Sequence, residues 1–181
     1  MRLQTFAAVL DACVLVPMPI ADTLLRLAES EPPFFAPRWS TQILQETEAT
    51  LVKFGYSPEK AKRRIDAMEA MFPEALVTGH EGLIEAMKND PKDRHVLAAA
   101  VRTRADCIVS DNVKHFPESV LKPLELECLT AEQFLVEQYN LEPDAFISVL
   151  NEQAKAIDRS LGGLISVLAK HVPKLAELIK A

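Results

Sequence analysis

Phe6-Ala7-Ala8-Val9-Leu10-Asp11 decides how the chain is read. The residues before the acid are apolar without a clean period of two. That is the pattern of a strand buried on both faces, and such strands belong to parallel sheets covered by helices. A second run, Cys107-Ile108-Val109, leads into Ser110-Asp111-Asn112. Further strand candidates are Ala75-Leu76-Val77-Thr78 and Leu124 to Leu129.

Helical segments separate these runs. Leu24, Leu25, Leu27 and Ala28 form a stripe that Pro32-Pro33 ends in a loop running to Pro37. Ser40 is placed to cap a helix reaching about Phe54, where Gly55 stops it. Ser57-Pro58-Glu59 opens another that continues to Met71, and a short helix is expected around Leu83 to Met87. Asp90-Pro91-Lys92-Asp93 starts a helix whose buried side is Val96, Leu97, Ala100 and Val101. Thr130 and Gln133 form a capping box for a helix through Tyr139. The alternation indicates an α/β domain around a mostly parallel sheet.

At 181 residues the chain suits one domain with a helical appendage. Residues 1–140 are expected to form the α/β domain and 141–181 a C-terminal helical extension. In the extension Ile157, Leu161, Leu164, Leu168, Val172, Leu175 and Ile179 recur at intervals of three and four, while Gly162, Gly163 and Pro173 argue against one straight helix. This apolar stripe is expected to pack on the body or on a second subunit, as in a homodimer.

Hydrophobic residues make up 49% of the chain, charged residues 25%, and the mean hydropathy is +0.05, which excludes wholesale disorder. The uncharged stretch between Asp11 and Asp22 is too short to span a membrane, and Asp11 interrupts the weak likeness to a secretory signal at Arg2 and Phe6 to Leu10. Cys13, Cys107 and Cys128 are odd in number and sit in apolar surroundings, as reduced core thiols do, and a cytoplasmic location is expected. A net charge of -6 argues against a protein that coats nucleic acid, but not against a nuclease whose active site gathers carboxylates.

Ligands of open parallel sheets bind outside the carboxyl ends of the strands. Asp11 and the Asp111-Asn112 pair qualify, although each could serve only a turn or a cap. Asp93 falls on the buried stripe in the first turn of its helix, where Asp90 and Asp93 also suit the positive helix end. Glu46 and Glu48 flank the Ile43, Leu44, Leu51 stripe on opposite sides, and periodicity does not choose between them. Several carboxylates on separate elements suit Mg²⁺ or Mn²⁺ and phosphodiester hydrolysis.

Other chemistries are less well supported. His80, His95, His115 and His171 show no zinc-binding spacing, and scattered histidines are usually surface or core residues. There is no GxGxxG, Walker A or GxSxG sequence. A phosphoaspartate hydrolase would carry an acid two residues after Asp11, where this chain has Cys13. A Cys13 nucleophile has no nearby base suggested by the sequence.

Four segments in order, Val9-Leu10-Asp11-Ala12-Cys13-Val14-Leu15, Arg38-Trp39-Ser40-Thr41-Gln42-Ile43-Leu44-Gln45-Glu46, Asp90-Pro91-Lys92-Asp93-Arg94-His95-Val96-Leu97-Ala98, and Ala105 to Asn112 with Phe116-Pro117, resemble the PIN-domain family. The resemblance spans roughly residues 6 to 140. It implies a three-layer α/β/α sandwich and a metal-dependent endoribonuclease that uses Mg²⁺ or Mn²⁺ and is often the toxin partnered by an antitoxin. It assigns the acids to Asp11, Glu46 rather than Glu48, and Asp93, with Asp90 as a neighbour. The family's fourth aspartate falls at Asn112, with Asp111 one place early. Substrate contacts are expected from Arg94, Ser110 and Lys114. Basic residues on helices, Lys60, Lys62, Arg63 and Arg64 or Arg94, Arg102 and Arg104, are available to RNA. The alternative is a degenerate PIN-like module acting through protein contacts.

Overall fold

The computed structural model describes residues 6–180. Among the described residues five strands form the sheet: β1 (Ala7–Leu10), β2 (Ala36–Ser40), β3 (Leu76–Val77), β4 (Cys107–Val109) and β5 (Glu127–Leu129), in the order β3-β2-β1-β4-β5. Every pairing is parallel, so the mostly parallel expectation becomes a fully parallel sheet. The helices are α1 (Ala12–Leu15), α2 (Met18–Glu29), α3 (Thr41–Lys53), α4 (Pro58–Met71), α5 (Arg94–Thr103), α6 (Glu118–Leu121), α7 (Ala131–Leu141), α8 (Pro143–Ala156), α9 (Leu161–Leu168) and α10 (Pro173–Lys180). Right-handed crossovers put α2 to α4 on one face of the sheet and α5 and α6 on the other, giving three layers. Val9, Leu10 and Ile108 are fully buried between them.

β2 corrects the expectation of a loop up to Pro37. A proline inside the run hides the strand from a reading of pattern, because proline cannot donate to a ladder. Here the missing donor does no harm. The Ala36 amide donates to the Phe6 carbonyl at 2.7 Å, so the Pro37 nitrogen points to the other side, where β3 pairs only with Trp39 and Ser40.

Four other elements differ in extent or type. β3 keeps only two residues, because Pro73–Ala75 is a 3₁₀ turn. The short helix expected around Leu83 to Met87 is a 3₁₀ segment over Glu81–Ala86. Pro91–Asp93 is likewise a 3₁₀ turn, with the Asp90 carboxylate accepting from the Lys92 amide, and α5 begins only after Asp93. β5 starts late because Lys122–Leu124 is a 3₁₀ turn and Glu125 takes a left-handed φ of 55°.

The C-terminal helices share the core of the sheet. Phe146, Leu150, Leu164, Leu168, Val172 and Leu175 are buried in the same apolar cluster as β1 and β4. α8 and α9 lie on α2, and α10 lies on α7. A buried polar tie reinforces the seam: Thr23 Oγ1 donates to Gln153 Oε1 at 2.8 Å, and Gln153 Nε2 donates to the Pro19 carbonyl at 3.1 Å. Ile157 departs from the expected stripe and is exposed. α8 ends just before it, and Asp158 turns the chain with φ 53°.

Candidate active site

The chain reverses direction across the sheet between β1 and β4, so the loops leaving these neighbours part and open a crevice at their carboxyl ends. A cleft of about 710 Å³ lies there. Asp11 comes to it from the end of β1, Glu46 from the second turn of α3, and Asp93 from the turn before α5; Asn112, Lys92 and Cys13 also line it. A larger hollow of about 930 Å³, bordered by Arg26, Pro33, Gln138 and Glu142, lies at the opposite end of the strands, where α2 and α7 terminate.

Asp11 is held from three directions. It is only 3% exposed, and its Oδ1 accepts from the Ala12 amide at 2.7 Å, which caps α1. Ser110 Oγ donates to Oδ2 at 2.6 Å and the Cys13 thiol donates to the same oxygen at 3.3 Å. Burial pushes the carboxyl pKa above its ordinary value; the Ser110 and Cys13 bonds oppose that rise, and the charge of Asp93 adds to it. Capping and site-building therefore coexist in one side chain.

Glu46 is less confined, with its side chain 41% exposed. Gln42 Nε2 donates to it at 3.1 Å across one helical turn. His95 Nε2 approaches to 3.1 Å without the alignment of a hydrogen bond, and neither ring nitrogen of this buried histidine has a hydrogen-bond partner among the described residues. Burial opposes ionisation of Glu46, but the imidazole and the Gln42 amide outweigh it and hold the carboxyl below its usual pKa.

Asp93 pairs with a second histidine. His115 Nδ1 lies 2.7 Å from Asp93 Oδ2, while its Nε2 is 4.0 Å from Asp90 Oδ2. The His115 carbonyl also accepts from the Asp90 amide at 3.2 Å, so side chain and backbone bind this turn together. Asp90 does not line the cleft and lies beside His115.

Asp111 and Asn112 part company. The Asp111 carboxylate accepts from the Ala131 amide at 3.0 Å and so caps α7, whereas Asn112 faces the cleft. Ser110 is fully buried, donates to Asp11 and accepts from the Asn112 amide at 3.1 Å, which makes it a support for Asp11. Arg94 is half-buried and Lys114 is exposed on the Val113–His115 turn; neither lines the cleft, while Lys92 does. On α4, Arg64 donates to the Leu15 and Val16 carbonyls and so braces the cleft wall, whereas Lys60, Lys62 and Arg63 are exposed.

Reading the sequence missed His95, His115, Lys92 and Phe54 at this site. His95 had one available signal, since it lies two residues after Asp93 at the start of an apolar helix face. His115 had none, because a 3₁₀ turn carries no periodicity. Cys13 is no nucleophile: burial and the Asp11 charge push its thiol up to about 12, so it stays protonated and donates.

The donor set suits a hard divalent cation. It is built of oxygen atoms, and two of its acids, Asp11 and Asp93, repel each other. Among the described residues no three His, Cys, Asp or Glu side chains converge tightly enough to grip one ion. A cation that keeps most of its waters needs only one or two carboxylates.

A parallel three-layer domain with an acidic cleft at its topological switch point is the class that the fold and site define. The family model of the PIN domain matches residues 7–114, more than half of the chain. The chain belongs to the PIN-domain family. A protein of Mycobacterium tuberculosis (strain ATCC 25618 / H37Rv) named "Putative ribonuclease VapC50" is 43% identical over 105 residues, which is 56% of this chain and 62% of that protein. The match thus spans less than two thirds of that relative's length. No solved structure matches the chain.

Proposed function

We propose that this protein is a divalent-metal-dependent endoribonuclease that hydrolyses RNA phosphodiester bonds. One observation carries the reading: Asp11, Glu46 and Asp93, from three separate elements, line a single cleft at the carboxyl ends of the central strands. Family membership and a relative named as a ribonuclease support it. Asp11, Glu46 and Asp93 would hold a hydrated Mg²⁺ or Mn²⁺, one or two of them directly and the rest through its waters, with the Asn112 carbonyl and Asp90 as neighbours. When bound, the cation supplies positive charge to the scissile phosphate and acidifies a water.

The chain's own residues do the rest. Ser110 and Cys13 orient Asp11 through Oδ2, and His115 fixes Asp93. His95 and Gln42 hold Glu46 ionised, and Lys92 brings a cation for the RNA backbone. Residues 1–140 form the catalytic unit in this reading, and 141–181 is the extension that covers α2 and α7. Control by an antitoxin protein, the role that the family resemblance implies, and assembly as a homodimer in the cytoplasm complete it. Among the described residues no helix is long and apolar enough to cross a membrane. The degenerate alternative has less support, because three acids reach the cleft.

The decisive experiment follows cleavage of a single-stranded RNA by the purified full chain with Mg²⁺, with Mn²⁺ and with chelator. Cleavage that needs the metal and disappears in both Asp11→Asn and Asp93→Asn is expected. Unimpaired cleavage by both variants overturns the reading.

A further inference from the structure

Phe54 stands at the end of α3 and is 69% exposed. Glu46, Thr50 and Phe54 recur at intervals of four on one helix face, and all three line the acidic cleft. Gly55, with φ +97°, then turns the chain away and leaves the ring at the cleft edge. A single exposed apolar residue means little. Position separates this one: of the large hydrophobic side chains exposed among the described residues, Phe54 alone lines the cleft.

We propose that Phe54 is a stacking platform for an unpaired nucleobase next to the scissile phosphate. This rests on the ribonuclease reading and adds a subsite to it. Two turns of α3 separate the ring from Glu46, a span of ~12 Å, within reach of a nucleotide flanking the one being cut. Val16 and Pro17 add apolar surface to the same cleft. Basic residues are available on the surrounding elements: Lys53 precedes Phe54, Lys60 and Arg63 are exposed on α4, which packs on α3, and Lys92 lines the same cleft. An exposed aromatic face and a cation lining one cleft are the combination that holds single strands, stacking the base and attracting the backbone. A base in a duplex is already stacked and has no face to offer.

The test uses the full chain carrying Asp93→Asn, so that RNA stays intact, and a single-stranded oligoribonucleotide containing 2-aminopurine, whose fluorescence is quenched on stacking. Phe54→Ala and Phe54→Leu are expected to weaken binding roughly five- to hundredfold and to abolish the quenching, while Phe54→Trp keeps both. Duplex RNA of the same sequence is expected to bind all four proteins alike. Equal single-strand binding by Phe54→Ala and its parent overturns the stacking role and leaves the ribonuclease reading standing. A Phe54→Ala variant that loses self-association instead of RNA affinity, seen by sedimentation, overturns it in favour of a protein contact. Failure of the parent and of the wild-type chain to bind or cut RNA overturns both.

Discussion

Ser110 Oγ donates to Asp11 Oδ2 at 2.6 Å, joining residues 99 apart in sequence. The bond works because β1 and β4 are neighbours in register, with Leu10 paired to Val109, so the residues that follow each strand meet at the rim. It fixes one carboxylate oxygen while the Ala12 amide fixes the other. Ser110→Ala removes a contact that lowers the Asp11 pKa, so that pKa is expected to climb further. The acid limb of the cleavage profile then moves to higher pH with the fold intact, as a pH–rate series on both proteins will read.

Asp11→Asn is expected to raise the melting temperature of the metal-free protein at pH 7. The folded pKa of Asp11 lies above its unfolded value of 3.8, so folding favours the protonated form. The contribution to stability is whole below 3.8 and is lost as pH rises through the folded pKa. The gain from Asn should therefore be present at neutral pH and fade on acidification. Calorimetry in chelator across that range checks it, and an unchanged or lower melting temperature at pH 7 contradicts it.

Glu46→Gln is expected to lower cleavage on the order of a hundredfold, and Glu48→Gln to leave it nearly unaltered. Glu46 lines the cleft, whereas the charge of Glu48 acts on Lys62 of α4. Side-by-side rates settle the choice, and a larger loss at Glu48 reverses the assignment.

His115→Ala frees Asp93 from its 2.7 Å contact and is expected to weaken Mn²⁺ binding roughly 10- to 100-fold. His115→Asn, which keeps a donor near the Nδ1 position, should recover part of the loss, and His115→Gln should recover less. Titration calorimetry with Mn²⁺ reads this without any turnover. Equal affinity in all variants means that His115 only braces the turn.

Leu150→Ala empties a fully buried position between α8 and the body and is expected to cost about 2–5 kcal/mol. Truncation after Asn140 uncovers the same faces of α2 and α7 and should yield an insoluble or strongly destabilised protein, although every proposed metal ligand remains. A soluble truncated chain with an unchanged melting temperature would show that the extension is dispensable.

The positions of Asp11 and of the loop after β4 are legible in the sequence because each follows an apolar run that reads as a strand buried on both faces, while whether each acid only caps or turns stays open at that level. The capping box at Thr130 and the proline-initiated α4 are legible because local chemistry alone makes them. β2 is not, since its proline is tolerated only through which side of the strand has a neighbour. Periodicity leaves Glu46 and Glu48 undecided, and only the motif separates them. The Asp111 side chain was ambiguous for a different reason: the helix end that draws it away from the cleft lies 20 residues further on.

Because Ser110 and Asp93 lie so much later in the chain than Asp11, the cleft cannot exist on a half-made protein. A ribosome that has released β1 and α3 has released Asp11 and Glu46, but Asp11 then has no serine to orient it and β1 has no β4 beside it. The complete cleft arrives only once β4 and the loop behind it have emerged. In the ribonuclease reading proposed above, the order of the strands alone then keeps the site unassembled during most of the protein's synthesis.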